Sequence, residues 1–540
     1  MVGILRRQLP ATAIWTVIGV IVLSLIVQGL APPSDYDSLN YHLALPQRDL
    51  EQGRIEADWY GGAFAFFPQL SEHLYRLSLA VIGQDAAQPV TGLFGIFLAL
   101  GSALLAQALG QSALVAALAA LMTVAVRATV WELATCEVEP QLAVFTACSL
   151  LMLLRWRTGG GMPAAILFGM MVGGGALVKY HGLVIGACFL PVILCDLAAG
   201  RVRWREVAAA GIIAAAAVAP HCLRNFYYTG NPLFPLLTEI FNPGVPRQFD
   251  IAGSFGRGRS LLDFLRVAWD VSILPTWYFD GAVLGAPYFL AFAPIALTMA
   301  RRPGAVPLAM VTLIYFAAWF WLLSQQVRFL IPVTPCLAVF AAVGVARAWL
   351  LSARAGKVAT IVTGVLLAAT QGLFVGAYAG MRLPAALGRV EPAHYLVATP
   401  TFGGSFYGAC TFVRERLAPQ EWILAMIAPH SYYCPQARAI VSPALPEEQA
   451  FWAQGKSLPD LDAGELAQAL DRYRVRFVIV PGQREFRRGV ALAPTIEDTD
   501  LQKDRFGRVL APVLRELTPL YHDSTAAVYD GTAVMQALTR

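Results

Sequence analysis

PPSDYDSLNYHLALPQRDLEQG (residues 32–53) is the stretch on which the reading of this chain turns. A long apolar run precedes it and Pro32-Pro33 ends that run. Asp35 is the first acid in the sequence; Asp37 follows it, with Tyr41 and His42 about one helical turn further on. Asp35, Asp37, Asp49, Glu51, Glu56, Asp58, Glu72 and Asp85 all lie between the first apolar run and the second. Glu132, Glu137 and Glu139 lie in another such gap. Acids confined in this way sit at the ends of membrane-spanning segments. Carboxylates at a bilayer surface, beside a lipid-exposed pocket, suit chemistry on a lipid-linked substrate.

Composition gives the class. Of 540 residues, 57% are hydrophobic and 14% charged, with a mean hydropathy of +0.57. Soluble domains carry about 25% charged residues, so the chain is a polytopic α-helical membrane protein with some soluble mass attached. The net charge of +5 is explained by where the cations fall and calls for no nucleic acid. The eight cysteines show no CxxC spacing and hence no metal framework; Cys410 and Cys434 are a candidate disulfide on slender grounds.

About eleven spans follow from the requirement of ~20 apolar residues per crossing. They fall near 13–31, 88–109, 112–130, 140–155, 163–178, 181–198, 206–221, 285–300, 305–323, 329–350 and 357–379. The first follows Arg6 and Arg7 as in a signal peptide, but no small-residue cleavage site follows, so it reads as a retained span. Arg6/Arg7, Arg155/Arg157, Arg201/Arg203/Arg205, Arg301/Arg302 and Arg347/Arg354/Lys357 then occupy alternate connections, which the positive-inside rule assigns to the cytoplasm. The N-terminus is expected inside and the first loop (32–87), 131–139, 222–284 and everything after about 380 outside.

The first outer loop reads as two short helices lying in the interface, one carrying Leu39, Leu43 and Leu50 and one after Pro68. Trp59, Tyr60, Phe64, Phe66 and Phe67 between them fit an interfacial aromatic belt. Two units are expected: a transmembrane module over 1–385 and an extracytoplasmic α/β domain over 386–540, where charges return. In the latter, EWILAMIAP and RYRVRFVIVP read as buried strands, ELAQALDRY as a helix, and AAVYDGTAVM as a hairpin around Asp530-Gly531. His430, Tyr432 and Tyr433 read as a packed loop more readily than as a sugar contact.

Several outer-face cations break the charge bias: Lys179 and His181 in GGGALVKYHG, Arg224 in PHCLRNFYYTGNPLFP, and Arg328 in SQQVRFLIP. Each fits a side chain snorkelling to the headgroups. Jointly they fit convergence on an anion such as a lipid phosphate, for which Arg offers a bidentate fork and Lys a point charge. Asp37 fits a helix N-cap; it also fits a base, since partial desolvation raises a carboxylate's pKa. Glu137 and Glu139 precede a span and fit helix-end electrostatics as well.

In order along the chain, DSLNYHLALPQRDLEQGRI (37–55), FPQLSEHLYRLSLAVIG (67–83), ATCEVEPQLAVF (134–145), GGGALVKYHGL (173–183), PHCLRNFYYTGNPLFP (220–235) and QQVRFLIPVTP (325–335) resemble the outer-face segments of GT-C superfamily glycosyltransferases. The nearest resemblance is to bacterial members similar to protein O-mannosyltransferases and to the aminoarabinose transferases of lipid A. It rests on order and topology over most of residues 10–380. It implies a GT-C-like fold in a bacterial inner (plasma) membrane. It also implies that Asp37 is the catalytic base, with Glu139 at the second acidic position and Glu137 as its rival. Relatives usually carry Asp there, so Glu139 is a departure. Lys179, Arg224 and Arg328 are implied donor-phosphate ligands, with Asp35, Tyr41, His42, Glu137 and His181 in supporting positions.

The same resemblance implies a polyprenyl-phosphate sugar as donor and inverting displacement by an acceptor hydroxyl or amine. The acceptor, whether glycan, lipid or protein, stays open. So does a divalent cation, Mg or Mn, between phosphate and carboxylate. No nucleotide-sugar site is expected, because the GGG runs at 159–161 and 173–175 lack the Rossmann spacing. Competing readings are a lipid-linked glycan polymerase or ligase, a transporter, which would normally show internal repeats, and a non-catalytic lipid-binding protein.

Overall fold

The structure, a computed structural model, describes residues 2–55, 59–83, 86–243, 255–278, 291–294, 304–398, 406–425, 432–435, 438–440, 462–481, 505–523 and 526–540. The described helices α1 (Val2–Gln28), α4 (Ala87–Ala108), α5 (Ala113–Val124), α6 (Arg127–Leu133), α7 (Glu139–Arg155), α8 (Gly161–Val178), α9 (His181–Ala198) and α10 (Trp204–Thr229) form a bundle. The apolar helices Ala305–Trp321, Thr334–Leu351 and Arg354–Ala386 pack with it.

Among the described residues, seven helical stretches are long and apolar enough to cross a membrane, or eight if the bent pair α5–α6 counts as one. The expected eleven spans are therefore not all accounted for. The 285–300 span falls outside the described residues except for 291–294, as do Arg301 and Arg302. One counted stretch, Glu139–Val178, is 40 residues long. It reverses direction at Thr158–Gly161, where Gly159 has φ +96° and Gly161 φ +55°. Gly174 consequently packs on Phe145 and Gly175 on Leu142, so α7 and α8 run as an antiparallel pair.

The expected span 112–130 is also corrected. It breaks between α5 and α6 with a bend of 68°. The break is tolerated because the freed amide of Arg127 donates to Gln371 Oε1 at 3.1 Å, and its guanidinium Nε donates to Tyr378 Oη at 3.1 Å. Both partners lie on Arg354–Ala386, so a side chain supplies the acceptor that lipid cannot.

Without a hydrophobic drive between helices in lipid, close packing depends on small residues. A methyl added at Gly169 of α8 would lie 2.3 Å from the Ala210 carbonyl of α10, and one at Gly173 would lie 2.8 Å from Ala217 Cβ. At one end of the bundle, Arg157 and Arg201 both donate to Asp196 (2.9 Å each), and Trp156 Nε1 donates to Glu206 (2.8 Å).

The first loop lies at the other end. It comprises a π-turn Ser38–His42, α2 (Ala44–Gln52), a 3₁₀ segment Trp59–Phe66 and α3 (Leu70–Val81). Tyr75 of α3 donates to the Glu137 carbonyl at 3.0 Å, tying the loop to the entrance of α7.

The C-terminal part holds a five-stranded sheet in the order β2-β1-β3-β5-β4, built from β1 (Trp422–Ala425), β2 (Ala439–Ile440), β3 (Val475–Pro481), β4 (Tyr521–His522) and β5 (Ala526–Asp530). β1 is parallel to β2 and β3, while β5 is antiparallel to β3 and β4. Val478 and Val480 pack beneath helices Ala463–Arg472 and Arg505–Glu516. Phe477 and Ile479, on the opposite face of the pleat, join the apolar core that extends to Leu39 and Leu43. The expected hairpin at Asp530-Gly531 is not formed. Asp530 instead caps helix Gly531–Leu538 by accepting from the Ala533 amide at 3.1 Å. Cys410 and Cys434 are disulfide-bonded. His430 lies outside the described residues.

Gly169→Ala is expected to lower the melting temperature of the detergent-solubilised protein, corresponding to about 1–3 kcal/mol of overpacking. Gly372→Ala, whose added methyl meets nothing within 4 Å, should leave it unchanged or raise it by up to ~1 kcal/mol. Equal melting of the two variants would disprove the close α8–α10 approach.

Candidate active site

The π-turn Ser38–His42 sets the direction of the first-loop acids. Asp35, not Asp37, caps it: Asp35 Oδ2 accepts from the Ser38 amide at 3.0 Å. Ser38 Oγ in turn accepts from the Cys136 amide at 3.0 Å, joining the turn to the acidic segment before α7. Asp37 makes no capping bond. Its Oδ2 accepts from Arg328 Nη1 at 2.7 Å, and the same nitrogen donates to Glu137 Oε2 at 3.1 Å. Arg328 is steered by its Nε, which donates to Gln326 Oε1 at 2.9 Å.

A second ion pair lies beside the first. Lys179, at the C-cap of α8, bonds Glu139 at the start of α7. Lys179 Nζ stands 4.5 Å from the centre of the Phe329 ring, the Arg328 guanidinium 5.0 Å from it, and the His181 ring 4.4 Å. One aromatic ring thus gathers the Lys179 and Arg328 cations, whose attraction to a ring is strongest when water is excluded. Glu132, Glu137 and Glu139 bring one oxygen each within 4.8 Å of one another, and so do the ligand atoms of Asp37, His42 and Glu137.

Asp37, His42, Glu137, Glu139, Lys179, His181 and Arg328 therefore share one site. Tyr41 is buried beside it, stacked on Phe64 with ring centres 4.5 Å apart. Arg224 is placed differently. Its Nη1 donates to Gln69 Oε1 (3.2 Å) and its Nη2 to the Ala65 carbonyl (3.0 Å), so it braces the back of the first loop. Sequence reading left Glu72 and Glu132 without roles. Glu72 Oε1 lies 2.5 Å from His42 Nδ1, and that ring's Nε2 is 3.9 Å from Glu137. Thirty residues separate His42 from Glu72, so no local spacing signals the pair.

Burial sets the electrostatics. It would push the Asp37 carboxyl up, but Arg328, with His42 and Lys179, outweighs it and holds Asp37 below its ordinary value. Glu137 is raised well above its ordinary value by burial and by the Asp37 charge, which Arg328 only partly offsets. Asp35 is raised by burial. The two neighbouring carboxyls Asp37 and Glu137 are thus pushed in opposite directions.

The chain is thus an apolar helix bundle whose carboxylates and cations meet at one end, beneath a small α/β unit. The chain is similar in structure to ArnT from Cupriavidus metallidurans in the apo state, with TM-score 0.61 and 14% identity over 97% of this chain and 99% of that one. It is equally similar to ArnT bound to undecaprenyl phosphate (TM-score 0.61, 14% identity, 97% and 98% coverage). It is also similar to the archaeal oligosaccharyltransferase AglB from Archaeoglobus fulgidus in complex with an inhibitory peptide and a dolichol-phosphate (TM-score 0.51, 12% identity, 87% and 69% coverage). The chain thus shares its fold with ArnT. No family profile matches the sequence, and no curated protein matches it at sequence level.

The Glu137 shift has a stability consequence. Below the ordinary value of 4.5 both folded and unfolded chains are protonated at this site. Above it the unfolded chain releases the proton while the folded chain keeps it, so stability falls as pH rises towards the raised value. Thermal unfolding of the solubilised protein from pH 4.5 upward should show this decline in wild type and a shallower one in Glu137→Gln. Parallel curves would rule it out.

Proposed function

We propose that this chain is a membrane glycosyltransferase that moves a sugar from a polyprenyl-phosphate carrier to an acceptor on the outer face of a bacterial inner membrane. The observation that carries this reading is the Asp37–Arg328–Glu137 cluster (2.7 and 3.1 Å) beside the Lys179–Glu139 pair, at one end of an apolar bundle. Asp37 stays ionised in spite of its burial because Arg328 holds its pKa down. The raised pKa expected from desolvation is therefore not found, and its basicity has to come from placement beside the acceptor.

In the reaction Asp37 takes the proton of an acceptor hydroxyl or amine. The freed oxygen or nitrogen attacks the anomeric carbon as the bond to the phosphate oxygen breaks, which inverts that carbon. The electron pair leaves with the polyprenyl phosphate, whose growing charge is met by Lys179 and Arg328. His181 stands on the same ring as these cations and helps to exclude water. Arg224 keeps the first loop in place and so acts on the donor indirectly.

Four buried acids, Asp37, Glu132, Glu137 and Glu139, face two cations, Arg328 and Lys179, and Glu132 Oε2 is a buried oxygen with no partner. This surplus of hard oxygens fits a divalent cation of the Mg or Mn class, held by Glu132, Glu137 and Glu139. Such an ion, when bound, supplies further positive charge to the departing phosphate.

Membrane lipid surrounds the helices in this reading, and the N-terminus is cytoplasmic. The transmembrane module comprises residues 1–385. Residues 386–540 lie outside the membrane, where the Cys410–Cys434 disulfide persists in an oxidising compartment.

Mass spectrometry of lipid-linked sugars and envelope glycans tests the proposal, in cells carrying wild type or Asp37→Asn. The expected result is accumulation of one polyprenyl-phosphate sugar and loss of one glycan in the variant, with transfer reduced at least ~100-fold, the lower range for loss of a general base. Unchanged profiles at equal expression would refute it.

A further inference from the structure

The segment that carries Asp37 is held from a distant part of the chain. Tyr433 Oη donates to the Pro33 carbonyl at 2.7 Å. The Tyr432 amide donates to the Leu39 carbonyl at 3.3 Å. The two bonds bracket residues 33–39, so Asp35 and Asp37 lie between them. Tyr395 and Ser34 add a contact of 3.5 Å between their hydroxyls within the same bracket.

The clamp is itself rigid. The Cys410–Cys434 disulfide fixes the residue next to Tyr433 to helix Tyr407–Arg414. Arg414 Nη2 donates to the Tyr433 carbonyl at 2.6 Å. The Tyr407 ring meets the Tyr433 ring edge-on at 5.0 Å. Tyr432, Tyr433 and Cys434 are all buried. The Tyr407–Arg414 helix packs against β5, because Val413, Phe477 and Val528 share one core.

We propose that Tyr433, locked by the Cys410–Cys434 disulfide, is a positioning residue that holds the Asp37 turn in register with Arg328. This builds on the transferase reading above. The Asp37–Arg328 bond joins residues 291 apart. On the Asp37 side, the neighbouring Ser38 is anchored to the Cys136 amide, while Pro33 and Leu39 hang from the Tyr432–Tyr433 loop. Pro33 is buried, and Tyr433→Phe removes the hydroxyl that donates to its carbonyl. Release of that carbonyl would loosen the strand leading into the π-turn and shift the Asp37 carboxylate, and small displacements of a base are costly in rate.

The test uses the full-length protein and compares wild type with Tyr433→Phe and Cys434→Ser. Hydrogen–deuterium exchange is followed on peptides spanning residues 30–43, with β3 as internal reference, and transfer kinetics are measured with the donor found for wild type. Faster exchange at 34–39 with β3 unchanged is expected in both variants. So is a kcat lower on the order of tenfold with the donor KM unchanged. Treatment of wild type with a phosphine reductant should reproduce the Cys434→Ser exchange pattern.

Unchanged exchange at 34–39 in both variants overturns the clamp, as does a rise in donor KM at constant kcat. If wild type transfers no sugar, the transferase reading fails, and the exchange measurement alone still decides the clamp.

Discussion

The site depends on one constraint: carboxylates removed from water must be matched by cations on the spot. An uncompensated buried charge costs several kcal/mol, and removing one partner of a buried pair destabilises by about 3–5 kcal/mol. Arg328 meets this demand for Asp37 and also donates to Glu137, whose carboxyl is pushed towards its neutral form, and Lys179 meets it for Glu139. Phe329 backs both cations. Four elements contribute, namely the π-turn, the entrance of α7, the end of α8 and the segment before Thr334–Leu351, and the Cys136–Ser38 bond and the α7–α8 packing hold them together as well. Their convergence is the electrostatic counterpart of an apolar core.

That constraint explains the irregular backbone around the site. The helices end in short turns because the charged groups must reach one another across the bundle end. Each exposed backbone group then needs a partner. Ser38 accepts from the Cys136 amide, Tyr75 donates to the Glu137 carbonyl, and Tyr433 donates to the Pro33 carbonyl. The polar side chains near the site thus serve the backbone as much as the charges, and the C-terminal sheet joins the frame through Tyr432 and Tyr433.

Legibility from sequence followed the range of the interactions. Apolar runs of about 20 residues are local patterns, so α4, α7, α8 and α9 fall close to their expected positions, whereas α1 starts at Val2 and not near 13, and α10 runs on to Thr229 and not to about 221. The break at α5–α6 was not legible, because its acceptor, Gln371, is 244 residues away from Arg127. The strands at 422–425 and 475–481 were legible as apolar runs, whereas DGT after β5 looked like a hairpin and proved to be an N-cap. Within the site, the positions of Lys179 and Arg328 stood out as cations against the charge bias. What could not be read was their pairing, and with it the roles of Glu72 and Glu132. Arg224 looks the same in sequence as Arg328, yet it faces Gln69 and Ala65. Charge type is local information; the partner is a property of the fold.

Glu139 fits this picture. Lys179 sits at the end of α8, where the backbone leaves the helix with φ −161° and ψ 150°. Its ammonium is then held between the Phe329 ring and the start of α7. A Glu side chain reaches one bond further than an Asp, and here it spans from the first turn of α7 to that ammonium while its other oxygen accepts from the Val138 amide at 3.3 Å. The longer acid therefore serves a helix terminus and an ion pair at once. Glu137, two residues earlier, bonds Arg328 instead, so each of the two glutamates is bound to one of the two cations.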